Sequence, residues 1–89
     1  MPTVHYIVEG KVQGVGFRRF VLHKANVLEL RGFVSNLEDG TVECMAQGSQ
    51  ESLTELEMIL RQGPRFAEVT SVNCTDIDGA KKYTQFRIV

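Results

Sequence analysis

Between positions 10 and 18 the chain reads Gly10-Lys11-Val12-Gln13-Gly14-Val15-Gly16-Phe17-Arg18, three glycines in seven residues with an arginine close behind. A turn this rich in glycine can aim several backbone N–H groups at one point. A helix starting just after it adds the positive end of its dipole, and Arg18 adds a full charge. Donors gathered in this way suit an anion the size of a phosphate, and arginine offers its oxygens two parallel charge-assisted bonds. A lone cation in a first helical turn opposes the dipole by ~0.3–1 kcal/mol. An anion held between helix end and guanidinium would reverse that penalty. The bland alternative is that the glycines only permit a tight strand-to-helix turn. Two nucleotide-binding patterns do not fit. A phosphate loop of the nucleotide-hydrolase type ends in Gly-Lys-Ser/Thr, and a dinucleotide fingerprint needs a third glycine where Arg19 stands.

The elements that must position this loop follow from periodicity. Residues 4–9 are rich in β-formers and largely apolar, which predicts a central strand. Phe17, Phe20, Val21, Ala25 and Leu28 recur at helical spacing, predicting a helix over 17–28 with Arg19, His23 and Lys24 toward water. Residues 32–36 read as a second strand, and Asp39-Gly40 marks a hairpin turn. Residues 41–47 alternate, with Val42, Cys44 and Ala46 on one face. Ser49 can cap a second helix whose stripe is Leu53, Leu56, Ile59 and Leu60, ended by Gly63-Pro64. Residues 66–75 form a fourth extended segment, and residues 86–89 a short closing strand.

The order is β-α-β-β-α-β with a terminal β piece. Two amphipathic helices and hairpin-paired strands fit an α+β, two-layer, ferredoxin-like sandwich: an antiparallel sheet with both helices on one face. The 89 residues are expected to form one domain, 1–89.

The formal net charge of −1 supplies no global field for nucleic acid or an anionic membrane. No run approaches the ~18 apolar residues of a membrane span, and no signal peptide is visible, so the expected location is cytoplasmic. Cys44 and Cys74 match no zinc spacing and read as reduced, half-buried thiols. His5 falls in a strand and His23 on a helix face, with no nucleophilic triad in view. Glu38 and Asp39 read as turn residues rather than general bases.

The loop resembles the signature of the acylphosphatase family, Gly-x-Val-Gln-Gly-Val-x-Phe-Arg. The block Gly32-Phe33-Val34-Ser35-Asn36-Leu37-Glu38-Asp39-Gly40-Thr41-Val42-Glu43 resembles the family's second signature, Gly-aromatic-Val-x-Asn-x-x-Asp-Gly-x-Val-Glu. Length and element order agree over essentially the whole chain. The resemblance implies a ferredoxin-like enzyme that hydrolyses acyl phosphates, mixed anhydrides of carboxylic and phosphoric acid, without metal or organic cofactor. By motif position Arg18 grips the phosphoryl group and Asn36 orients the attacking water. Phosphate binding falls to the loop residues Gln13, Gly14, Val15, Gly16, Phe17 and Arg18, through their backbone N–H groups and the Arg18 side chain.

The departures are Leu37-Glu38, where relatives commonly place a proline, and Arg19, where an aromatic or smaller residue is usual. Glu38 is expected to bring negative charge near the site and to weaken anion binding a little. The expected partner is a small-molecule acyl phosphate, with no nucleic acid or membrane, acting on a monomer. Two other readings use the same fold: a non-catalytic module that binds a phosphorylated metabolite, and an RNA-binding module. The second needs clustered strand aromatics and a basic surface, whereas Tyr6, Phe33, Phe66, Tyr83 and Phe86 are scattered in sequence.

Overall fold

In the computed structural model, which describes residues 1–89, alternating apolar positions give the sheet one face to bury. Along β1 (Thr3–Lys11) Val4, Tyr6 and Val8 are buried while His5 and Ile7 are half-buried. The same period of two runs through β2 (Arg31–Asn36) and β3 (Val42–Gln47), whereas in β4 (Glu68–Asp76) only Val72 is buried. A fifth strand, β5 (Phe86–Ile88), closes the chain. The sheet order is β4-β1-β3-β2-β5. The four longer strands pair antiparallel, as expected, and β1 takes an interior place between β4 and β3. The terminal piece joins parallel to β2, with Gly32 level with Phe86.

Helix α1 (Phe17–Val27) buries Phe17, Val21 and Ala25, and α2 (Gln50–Gln62) buries Leu53, Leu56 and Leu60. These six residues join Tyr6, Val8, Val34 and Cys44 in one core. Both helices therefore cover the same face of the sheet, in the two-layer α+β arrangement expected. The hydroxyl that Tyr6 carries into this core is satisfied: it donates to the Leu53 carbonyl at 2.9 Å. Burial drives its ionisation well above the usual tyrosine range.

Gly32 is where the sheet demands glycine. Its φ is +144°, and a Cβ there would drive into the Met45 carbonyl of the neighbouring strand. Ser49 caps α2 as expected, accepting a bond from the Ser52 N–H at 3.1 Å. Helix α1 ends at Val27, one residue before the expected end. Glu29 there takes a positive φ of 59°, and the Leu30 N–H turns back to the Ala25 carbonyl at 2.8 Å.

Two expectations are corrected. The fourth strand starts at Glu68, because residues 64–67 close a turn through Ala67 N–H to the Pro64 carbonyl, leaving Phe66 exposed. The cysteines are free, but neither is half-buried. Cys44 is enclosed on interior β3, and Cys74 is exposed on edge strand β4. Both lie level with Tyr6, on opposite sides of β1. Two strand spacings, ~9–10 Å, separate them, beyond the ~4.4–6.8 Å between Cα atoms of a disulfide. No helix is long and apolar enough to cross a membrane.

Candidate active site

The loop 12–16 leaves β1 and feeds α1 through Gly16, whose φ of 77° and ψ of 20° are left-handed. A side chain there would meet no neighbour, so glycine is favoured for its backbone freedom alone. No side chain caps the helix and no acidic residue stands in its first turn. Nor do the N–H groups from Gln13 to Arg19 donate to any acceptor in the protein. The helix end is left open as a cluster of donors. Phe17 is buried and anchors the first turn, and its exposed neighbours Arg18 and Arg19 add two cations there. Each opposes the helix dipole by ~0.3–1 kcal/mol when no anion is present.

Loop and helix end wall a cavity of about 270 Å³ whose lining includes Gly14, Gly16, Phe17, Arg18 and Arg19. Asn36, the last residue of β2, enters the same cavity from the other side, and no carboxylate lines it. The Asn36 side-chain carbonyl oxygen, Oδ1, is buried and has no hydrogen-bond partner in the protein. Buried polar atoms are rarely left so, and those that are often serve function.

Gln13 holds the two halves of the site together. Its Nε2 donates to the carbonyls of Leu37 at 2.8 Å and Thr41 at 2.9 Å, both in the turn that follows Asn36. That turn is closed by Leu37 N–H to Thr41 O at 2.9 Å and Gly40 N–H to Leu37 O at 3.1 Å. Asp39 is the turn residue expected: its Oδ1 accepts from the Thr41 hydroxyl at 2.6 Å and backbone N–H at 3.0 Å. These bonds, the hydroxyl's foremost, hold its carboxyl below the usual range.

Gly14, Gly16, Phe17, Arg18 and Asn36 thus line one cavity, whereas Gln13 and Val15 do not. The Gln13 side chain is turned to the β2–β3 turn, and Val15 packs against the core. Glu38 is exposed and does not line the cavity. Val12 and Ile88 line it without having been singled out, and so does Arg19, noted in the sequence as a departure from the family pattern. Arg19 was legible as a second cation next to Arg18. Ile88 was not, because only the parallel pairing of β5 brings it close.

The histidines lie elsewhere. His5 Nε2 sits 2.8 Å from Glu43 Oε2 on the sheet face away from the helices, and His23 is exposed on α1. Two aromatics read as scattered do meet: the Phe33 and Tyr83 rings lie 6.2 Å apart, with the Lys81 ammonium 5.2 Å from the Tyr83 centroid.

Fold and site together define a class, the small α+β proteins of ferredoxin-like topology that carry a glycine-rich loop with open N–H donors at the start of the first helix. Residues 4–88 match the acylphosphatase family model. The chain is 46% identical over 86 residues to an acylphosphatase from Chlorobaculum tepidum, covering 97% of this chain and 94% of that one. The crystal structure of acylphosphatase from Bacillus subtilis matches with a TM-score of 0.97 and 37% identity, covering 100% of this chain and 99% of that one. An acylphosphatase from Coxiella burnetii matches with a TM-score of 0.94 and 42% identity, covering 99% and 92%. The chain belongs to the acylphosphatase family, enzymes that hydrolyse acyl phosphates. Against these matches the RNA-binding and purely binding readings are not favoured.

Proposed function

We propose that the chain hydrolyses acyl phosphates with Arg18 and the loop N–H groups holding the phosphoryl group and Asn36 holding the attacking water. The observation that carries this reading is the meeting of Arg18 and Asn36 in one cavity, with the buried Asn36 Oδ1 left without a protein partner. An acyl phosphate is already activated, because a carboxylate leaves readily. The protein therefore has to position and to stabilise charge, and no nucleophilic side chain is needed. Donors from residues 13–18 and the Arg18 guanidinium meet the phosphoryl oxygens. Being fixed, they stabilise the charge spread over those oxygens in a loose transition state without reorganising.

Asn36 holds one water through its side-chain amide, with a lone pair of the water directed toward phosphorus, opposite the leaving carboxylate. The water oxygen–phosphorus bond forms as the phosphorus–acyl oxygen bond breaks, and the bond's electron pair leaves with the carboxylate. A phosphoryl oxygen takes the proton of the water, so no side-chain base takes part. The role of Gln13 is to hold loop and turn at the separation this alignment needs.

We also propose that the reaction proceeds without a metal ion. In support, no group of three or more His, Cys, Asp or Glu side chains gathers anywhere in the protein. The test is turnover of benzoyl phosphate with and without chelator, beside Arg18→Ala. Chelator-insensitive hydrolysis that disappears in the variant is the expected result. Hydrolysis that survives Arg18→Ala, or that the chelator abolishes, refutes the mechanism.

A further inference from the structure

Arg19 is a cation the mechanism leaves unused. It is exposed, lines the same cavity as Arg18 and pairs with no carboxylate, since the protein's two ion pairs are His5–Glu43 and Arg61–Glu57. Consecutive residues on a helix project about 100° apart and do not face one another. The two side chains therefore leave the helix in different directions. In the proposed mechanism the loop N–H groups and Arg18 hold the phosphoryl dianion. A cavity of about 270 Å³ also exceeds what that group and one water fill, since a water takes only roughly 10–15 Å³ on the same measure. The remaining space must take the acyl part of the substrate, and it is edged by a positive charge with no acidic residue to offset it.

We infer that Arg19 is a specificity-determining residue that selects acyl phosphates whose acyl group carries a second anionic group, such as a carboxylate. This rests on the reading of the cavity as the acyl phosphate site. A carboxylate on the acyl part meets the Arg19 guanidinium in a planar two-donor fork. Its attraction for the exposed cation is felt before and during the reaction alike, so selection acts mainly through KM.

The test compares benzoyl phosphates bearing a 3- or 4-carboxylate with the matching neutral carboxamides, which have the same shape. At low salt the protein should favour at least one carboxylate over its carboxamide by about tenfold in kcat/KM, and the preference should shrink as salt screens it. Arg19→Gln should bring that ratio to about twofold or less, and Arg19→Glu should invert it. Arg19→Lys should restore only part of it, because the point charge lacks the fork. An Arg19→Gln ratio equal to that of the unsubstituted protein overturns the proposal. So does an equal loss on all four substrates accompanied by weaker inhibition by inorganic phosphate, which would put Arg19 on the phosphoryl group. Carboxamides turned over with no carboxylate preference overturn the role of Arg19 alone. Failure to hydrolyse any of the four overturns the acyl phosphate reading itself.

Discussion

Asn36→Ala separates chemistry from folding. The substitution removes the amide at the end of β2 and leaves the backbone pairing of Asn36 with Val42 intact. If the amide aligns the attacking water, its loss resembles the loss of one preorganised polar partner, ~2.7–4 kcal/mol of transition-state stabilisation, or about a hundredfold to a thousandfold in kcat. Stability should behave in the opposite sense. Oδ1 is buried and bonded to nothing in the protein, and an unsatisfied buried acceptor costs ~1–3 kcal/mol. The truncation deletes only polar atoms, so it forfeits little apolar burial. The variant should therefore be as stable as the parent or more so, with a gain of up to about 1 kcal/mol raising Tm by roughly 4–8 °C in a chain of this size. The assay pairs kcat on benzoyl phosphate with the thermal midpoint and with inhibition by inorganic phosphate, which should hold within about threefold. A large drop in Tm would make the amide structural. Collapse of phosphate inhibition with the single-turnover rate preserved would make Asn36 a binding residue. Either outcome refutes the water-positioning argument.

Three further outcomes are expected. Arg18→Lys keeps the charge but loses the planar fork, and should lower kcat/KM by roughly tenfold to a hundredfold, the worth of a charged hydrogen bond at ~1.5–3 kcal/mol; near-normal turnover would remove Arg18 from its assigned role. Gln13→Ala deletes the bonds to Leu37 and Thr41, each worth ~0.5–1.5 kcal/mol. It should lower the urea midpoint and kcat together, so a change in neither would show that the tie positions nothing. In the folded protein the Cys74 thiol is pushed up to about 11 from 9.0, by burial first and then by Glu57. Burial likewise raises Cys44 and Tyr6. The unfolded chain therefore releases these protons first as pH climbs from about 9, and stability must fall across that range while staying intact below it. Urea midpoints that stay level from about pH 8 to 10.5 would contradict this, as would alkylation of Cys74 near pH 8 as fast as that of free cysteine.

The elements were legible because their causes are local. The stripe Phe17, Val21 and Ala25, the alternation of Val42, Cys44 and Ala46, the Ser49 cap and the Asp39-Gly40 turn each involve neighbours a few residues apart. The fourth strand was misjudged at its start, because the turn at residues 64–67 outweighs the β-forming character of Phe66. The cysteines were misjudged because burial depends on whether a strand lies inside the sheet or at its edge, which no residue's own type reveals.

Taken alone, the sequence determined a glycine-rich loop between strand and helix, the elements on either side of it and, through two long motifs, the family. Those signals lie in the type and spacing of adjacent residues, which act over one turn or one pleat. Tertiary structure decided the rest: that the Gln13 side chain binds a turn across the sheet, that Asn36 ends with an unpartnered acceptor and lines the same cavity as Arg18, and that Arg19 and Ile88 share that cavity. These contacts join residues far apart in the chain. They exist only once strand order and register bring those residues to the same end of the sheet.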